Sequence, residues 1–125
     1  MAAMERKLIG RWGEAAAAEY LRKKGYKIIA QGYHSRFGEV DLIAANKKFV
    51  AFVEVKTRKS ASFARAMEYV DANKQRKLAA TASLWLSENA TKLQPRLDVI
   101  EVYYTDDGGA LSVGSINHIE NAFGG

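Results

Sequence analysis

From Phe49 to Val55 the chain reads Phe-Val-Ala-Phe-Val-Glu-Val, the β-branched and aromatic run expected of a strand covered on both faces. Before it, Glu5 to Lys24 carries Leu8, Trp12, Ala15, Ala16 and Leu21 on or near one stripe, which predicts a helix. Gly25 is the expected stop, and Arg22, Lys23 and Lys24 suit the negative end of the helix dipole. Tyr26 to Gln31 reads as a strand and His34 to Gly38 as a polar loop containing Phe37. Glu39 to Ala45 and Phe49 to Lys56 then form a hairpin about Asn46-Lys47-Lys48. Thr57 to Val70 has no clean period and reads as a flexible basic loop with one helical turn near Met67; loops of that length in compact domains are usually functional or disordered. Asp71 is the expected N-cap of a second helix, Ala72 to Asn89, buried through Leu78, Ala82, Trp85 and Leu86. Leu97 to Tyr104 and Leu111 to Ile119 are two further strands joined through Thr105 to Gly109. Helix, three strands, helix, two strands implies an α/β fold: a mixed sheet of five strands flanked by helices.

The 125 residues suit one domain, 1–125, with ordinary globular proportions of hydrophobic (48%) and charged (26%) residues. The absence of cysteine excludes a disulfide scaffold and a thiolate zinc site, and agrees with a reducing compartment. No apolar run is long enough for a secretory leader or a bilayer span, so a soluble cytoplasmic protein with no membrane partner is expected. Charge is distributed unevenly. Residues 1–55 hold ten Lys/Arg against six Asp/Glu, residues 56–77 seven against two, and residues 78–125 two against six. A basic middle of this kind suits a polyanionic partner, although such runs are often only solvated surface.

The polar positions that interrupt the hydrophobic pattern carry the candidate chemistry. Side chains alternate along a strand, so Val50, Phe52, Glu54 and Lys56 share one side, where packing gives way to an acid and then a base. Burying an ionisable pair there costs stability unless it has a task or a good partner. Asp41 lies 13 residues before Glu54, across the predicted hairpin. Two carboxylates and the Val55 carbonyl form an oxygen set for a hard divalent cation such as Mg²⁺. Lys56, roughly 6.6 Å beyond Glu54 along the face, is placed to stabilise charge on a phosphate and to position water; beside acids it is expected to stay protonated. Glu14 falls with Gly10, Ala17, Ala18 and Leu21, where small residues allow close approach and an outer metal ligand. Plainer readings stand beside these: a turn cap for Asp41, a strand-end ion pair for Glu54 and Lys56, a solvated helix glutamate for Glu14.

Gly13-Glu14, Ala18 to Leu21, Gly25-Tyr26, Gly-Glu-Val-Asp-Leu-Ile at 38–43 and Phe-Val-Glu-Val-Lys-Thr-Arg at 52–58 closely resemble the YraN family. The likeness continues through Lys74 to Lys77, Arg96-Leu97-Asp98 and His118 to Phe123, nearly the whole chain. That family is placed in the PD-(D/E)XK nuclease superfamily and is similar in outline to Holliday-junction resolvases. The resemblance implies a restriction-endonuclease-like core and Mg²⁺-dependent (or Mn²⁺-dependent) hydrolysis of DNA phosphodiesters, on branched or single-stranded DNA in recombination or repair. It casts Asp41 and Glu54 as the metal-binding acids, Lys56 as the motif lysine and Glu14 as the helical glutamate. It also implies a homodimer. Val40 stands where the superfamily's name has proline, which holds no metal. The alternative is a non-catalytic nucleic-acid-binding or partner-binding module that keeps the fold.

Arg36, Arg58, Lys59, Arg65, Lys74 and Lys77 cluster around the motif and are the candidate phosphate contacts. Phe37 and Phe63, interleaved with arginines, are candidates for base stacking, with burial under a loop as the alternative. Gln75 either touches the site's water or phosphate or is a plain surface residue. Trp12 and Trp85 are expected in the core, and His34 and His118 stand too isolated in sequence to suggest zinc or a histidine nucleophile.

Overall fold

The computed structural model describes residues 6–60 and 71–123. Its elements follow in the order α1 (Arg6–Lys23), β1 (Lys27–Ser35), β2 (Gly38–Ala45), β3 (Phe49–Lys59), α2 (Ala72–Glu88), β4 (Gln94–Asp107) and β5 (Ala110–Ile119). The five strands form one sheet in the order β1-β2-β3-β4-β5. All neighbouring pairs are antiparallel except β3 and β4, which run parallel and are connected through α2. Helix α1 packs on one face, over Leu42, Ala44, Val53, Val55, Ile100 and Val102. Helix α2 packs on the other, over Val40, Ile43, Val50 and Phe52. The mixed α/β layering is consistent with a restriction-endonuclease-like core.

Local chemistry explains the joints. Asn46 Oδ1 accepts the backbone N–H groups of Lys48 and Phe49 at 2.9 and 2.8 Å, closing the β2–β3 hairpin as an Asx turn. Asp71, in extended conformation, caps α2 by accepting the Lys74 N–H at 2.8 Å. Gly108 and Gly109 both have positive φ, +64° and +96°, as the tight two-residue turn between β4 and β5 requires.

Three expectations are corrected. Leu8 and Ala15 are exposed, and the buried row of α1 is Gly13, Ala17, Ala18 and Leu21. At 100° per residue Leu8 falls about 150° from the middle of that row, whereas Gly10 and Glu14 fall inside it. The loop at His34 to Gly38 shrinks to a turn at Arg36 and Phe37, because His34 and Ser35 continue the pairing with β2. Thr57, Arg58 and Lys59 are not loop: β4 supplies Val102, Tyr103 and Tyr104 as parallel partners, so β3 runs on through the basic residues. Phe63, Arg65 and the helical turn near Met67 lie outside the described residues. Trp12 and Trp85 are partly buried, each packed against one of the two cores.

His118 is isolated only in sequence. Its Nε2 lies 2.7 Å from Oδ2 of Asp98 and its Nδ1 3.3 Å from the Tyr20 hydroxyl. Asp98 is fully buried and also accepts Arg96 Nε at 2.9 Å, Arg96 Nη2 at 2.9 Å and the Asn121 N–H at 3.0 Å. Burial alone would raise the Asp98 pKa, but the His118 and Arg96 bonds outweigh it and hold the carboxyl below its ordinary value. Removing the carboxylate strands the Arg96 guanidinium inside the protein. Asp98→Ala is therefore expected to cost about 3–5 kcal/mol in urea unfolding, whereas a loss below about 1 kcal/mol would show that the cluster is not a stabilising lock.

Candidate functional site

The β2–β3 ladder runs from the pair Ala45 and Val50 to the pair Leu42 and Val53, and then stops. In that register Asp41 and Glu54 would be the next partners. The strands part there instead, and the Asp41 side chain turns into the gap, where its Oδ2 accepts the Val55 N–H at 2.8 Å. A strand residue directs its N–H and C=O toward the same neighbour, so the Val55 carbonyl opens on the same gap. The sheet thus offers two carboxylates and one carbonyl where its own hydrogen bonding ends.

Helix α1 adds the third carboxylate through an unusually close approach. A Cβ on Gly13 would lie 1.9 Å from Thr57 Oγ1, so only glycine lets the helix settle this near the end of β3. Glu14, the next residue, is carried half-buried toward Asp41. The gap opens into a recess of about 560 Å³ whose lining includes Arg6, Gly10, Glu14, Asp41, Glu54, Val55, Lys56, Arg58, Lys59 and Lys74. On the α2 side a smaller recess of about 240 Å³ shares Asp41, Glu54 and Lys74 and adds Gly38, Glu39, Lys77 and Leu78. A larger groove of about 760 Å³ runs between α2 and the start of β4, but Phe49, Phe52, Leu86, Leu97 and Phe123 make it mainly apolar. Among the described residues its only carboxylate is Glu120, so the smaller, polar recess is the better candidate for chemistry.

The charges in this gap are in conflict. Burial, then the field of Glu54, push the Asp41 pKa up to about 7; the Val55 N–H pulls it down, and Glu14 and Glu39 raise it further. Glu14 is raised for the same reasons, first by burial and then by Glu39 and Glu54, while a hydrogen bond with Asp41 draws it back. Glu54, with a side chain 9% exposed, answers with two ammonium groups on one oxygen: Lys74 Nζ at 3.0 Å and Lys56 Nζ at 3.5 Å from Oε2. Burial lowers the Lys56 pKa against the field of Glu54, with Lys74 and Arg58 pulling the same way. The expectation that neighbouring acids simply hold Lys56 protonated therefore meets an opposing pull. For Lys74 burial also opposes the charge, but the hydrogen bond to Glu54 and its field prevail and raise the pKa.

Asp41, Glu54, Val55, Lys56 and Glu14 thus meet in one place, as do Arg58, Lys59 and Lys74 at its rim. Lys77 lines the smaller recess, and Arg36 lies apart at the β1–β2 turn, its guanidinium 4.9 Å from the centre of the exposed Phe37 ring. Gln75 is half-buried on α2. Arg6 was missed by the sequence reading, although the row Arg6, Gly10, Glu14 at spacings of four residues would have found it. Among the described residues no three His, Asp or Glu side chains form a ready-made metal cage. A cation held here would depend on Asp41, Glu54 and the Val55 carbonyl, with water and substrate completing the shell.

Comparison with known proteins finds relatives of this sequence. The model of the uncharacterised protein family UPF0102 matches residues 13–102, a span that includes Glu14, Asp41, Glu54, Lys56 and Lys74. A UPF0102 protein of Caldanaerobacter subterraneus subsp. tengcongensis is 44% identical over 124 residues, covering 98% of this chain and 100% of the relative. One from Syntrophomonas wolfei is 43% identical over 117 residues (92% and 96% of the two chains), and one from Symbiobacterium thermophilum 46% over 101 residues (80% and 86%).

An acid whose folded-state pKa lies above its unfolded value binds a proton more tightly when folded, so its contribution to stability falls as pH rises between the two values. For Asp41 that window runs from the ordinary 3.8 to about 7. In metal-free protein, Asp41→Asn should raise the melting temperature at pH 8, with a gain in stability of at most about 4 kcal/mol, and change it little at pH 4. Thermal melts at the two pH values in the presence of a chelator read this directly; a destabilised variant at pH 8 would show that Asp41 is not under the repulsion described.

Proposed function

The chain belongs to the UPF0102 family. From its site geometry we propose that it is a metal-dependent endonuclease hydrolysing DNA phosphodiester bonds, acting on branched DNA in recombination or repair. The observation that carries this reading is the meeting of Asp41, Glu54 and the Val55 carbonyl at the mouth of a recess rimmed by Arg6, Lys56, Arg58, Lys59 and Lys74.

The donor set fits Mg²⁺ or Mn²⁺: it is all oxygen, and the crowding that pushes Asp41 up to about 7 is what a divalent charge relieves. Asp41, Glu54 and Val55 would hold the ion, with Glu14 as an outer ligand. When bound, it would supply Lewis acidity to the phosphate and a more acidic water. The chain's own residues do the rest. The Val55 N–H fixes the orientation of the Asp41 carboxylate. Lys56, half-buried beside Glu54, presents its ammonium to charge developing on the phosphate and orients the attacking water; its lowered pKa also brings a proton-accepting form within closer reach. Arg6, Arg58 and Lys59 hold flanking phosphates, and the exposed Arg36 and Phe37 offer a stacking surface for an unpaired base. A homodimer belongs to the same reading, because symmetric cleavage of a four-stranded junction needs two sites.

A non-catalytic DNA-binding or partner-binding module is the competing reading, and the neutralisation of Glu54 by two lysines is the observation that favours it. Cleavage of duplex, single-stranded, flap and four-way-junction DNA with Mg²⁺ or Mn²⁺ separates the two. Wild-type protein is expected to cut branched DNA only with the metal, and Asp41→Ala to lose on the order of a thousandfold in rate while still binding. Equal binding by both proteins with no cutting of any substrate would favour the module.

A further inference from the structure

The Glu54 carboxylate meets two lysine Nζ atoms, both on the same oxygen. The two lysines are not equivalent. Lys56 projects from the middle of a paired strand, and its side chain is 11% exposed. Lys74 is the third residue of α2, and its side chain is 49% exposed although it makes the shorter contact, 3.0 Å. Its backbone is anchored, since its N–H is taken by the Asp71 cap, but its four-carbon stem lies against both recesses and has room to move.

From this asymmetry we propose that Lys74 is a built-in counter-ion: it holds the Glu54 carboxylate in the metal-free protein and is released onto a substrate phosphate when a divalent cation takes Glu54. The inference rests on the reading of Asp41 and Glu54 as a cation site. A dication arriving beside Glu54 places three positive groups around one carboxylate, and the repulsion expels the one with an exit. An ion pair with one half-exposed partner is held weakly, so the exchange costs little. The freed ammonium stays over the recess because its backbone does not move. Cation and polyanion therefore bind cooperatively: the cation frees a phosphate ligand, and the phosphate keeps Lys74 from returning.

The test is calorimetric titration of Mn²⁺ into wild-type protein, Asp41→Asn, Lys74→Gln and Lys77→Gln, without DNA. Lys77→Gln removes the same charge from the wall of the smaller recess and controls for the general field. Lys74→Gln is expected to bind Mn²⁺ several-fold more tightly than wild type and more tightly than Lys77→Gln. In the presence of Ca²⁺, its affinity for a fluorescent four-way junction should fall several-fold, whereas with chelator the loss should be much smaller. Mn²⁺ affinity in Lys74→Gln no greater than in Lys77→Gln would overturn the inference alone. Absence of any Asp41-dependent Mn²⁺ binding by the wild type would overturn it together with the cation-site reading.

Discussion

One hydrogen bond organises the candidate site of this protein: the Val55 N–H to the Asp41 carboxylate. Where β2 and β3 cease to pair, a backbone donor in the middle of the sheet needs an acceptor, and a side chain provides it. The same bond fixes Asp41 in the gap, leaves the Val55 carbonyl facing that gap, and sets Asp41 beside Glu54. The close approach of α1, permitted by Gly13 against Thr57, brings in Glu14 and completes an acidic pocket that protein groups only partly neutralise.

Among the described residues, two of the places where charge is buried are handled in opposite ways. Under the C-terminal end of α1, Asp98 receives donors from Arg96, His118 and the Asn121 backbone, so its charge is matched and its pKa is held down. Toward the N-terminal end of the same helix, Asp41 has a single backbone donor and three acidic neighbours, and its pKa rises to about 7. The first arrangement locks the end of the chain to the sheet. The second is left electrostatically unsettled, which is the usual signature of a site with chemistry to perform.

Much of the architecture was legible in the residues. The run Phe49 to Val55 is the buried strand its β-branched and aromatic residues suggest, Asn46 and Asp71 form the turn and the cap, and the alternation that put Glu54 and Lys56 on one side holds in space. Strand ends were read short, because Thr57 to Lys59 gain their strand character from partners some 45 residues away in β4, which no local pattern reveals. Of the α1 stripe, Trp12, Ala16 and Leu21 do meet the core, whereas Leu8 and Ala15 face outward because the helix approaches the sheet through Gly13, Ala17 and Ala18. The contacts of His118 with Asp98 and of Lys74 with Glu54 escaped for a related reason: each joins residues distant in sequence.

The chemistry of the gap between β2 and β3 turns on where a divalent cation binds. Crystals soaked in Mn²⁺ and measured at its absorption edge would locate it by anomalous scattering. A cation site there gives a peak between the Asp41 and Glu54 carboxylates within coordination distance of the Val55 carbonyl, and none at that position in crystals of Asp41→Asn. Strong Mn²⁺ peaks elsewhere, with none in the gap between β2 and β3 of the wild type, would contradict it.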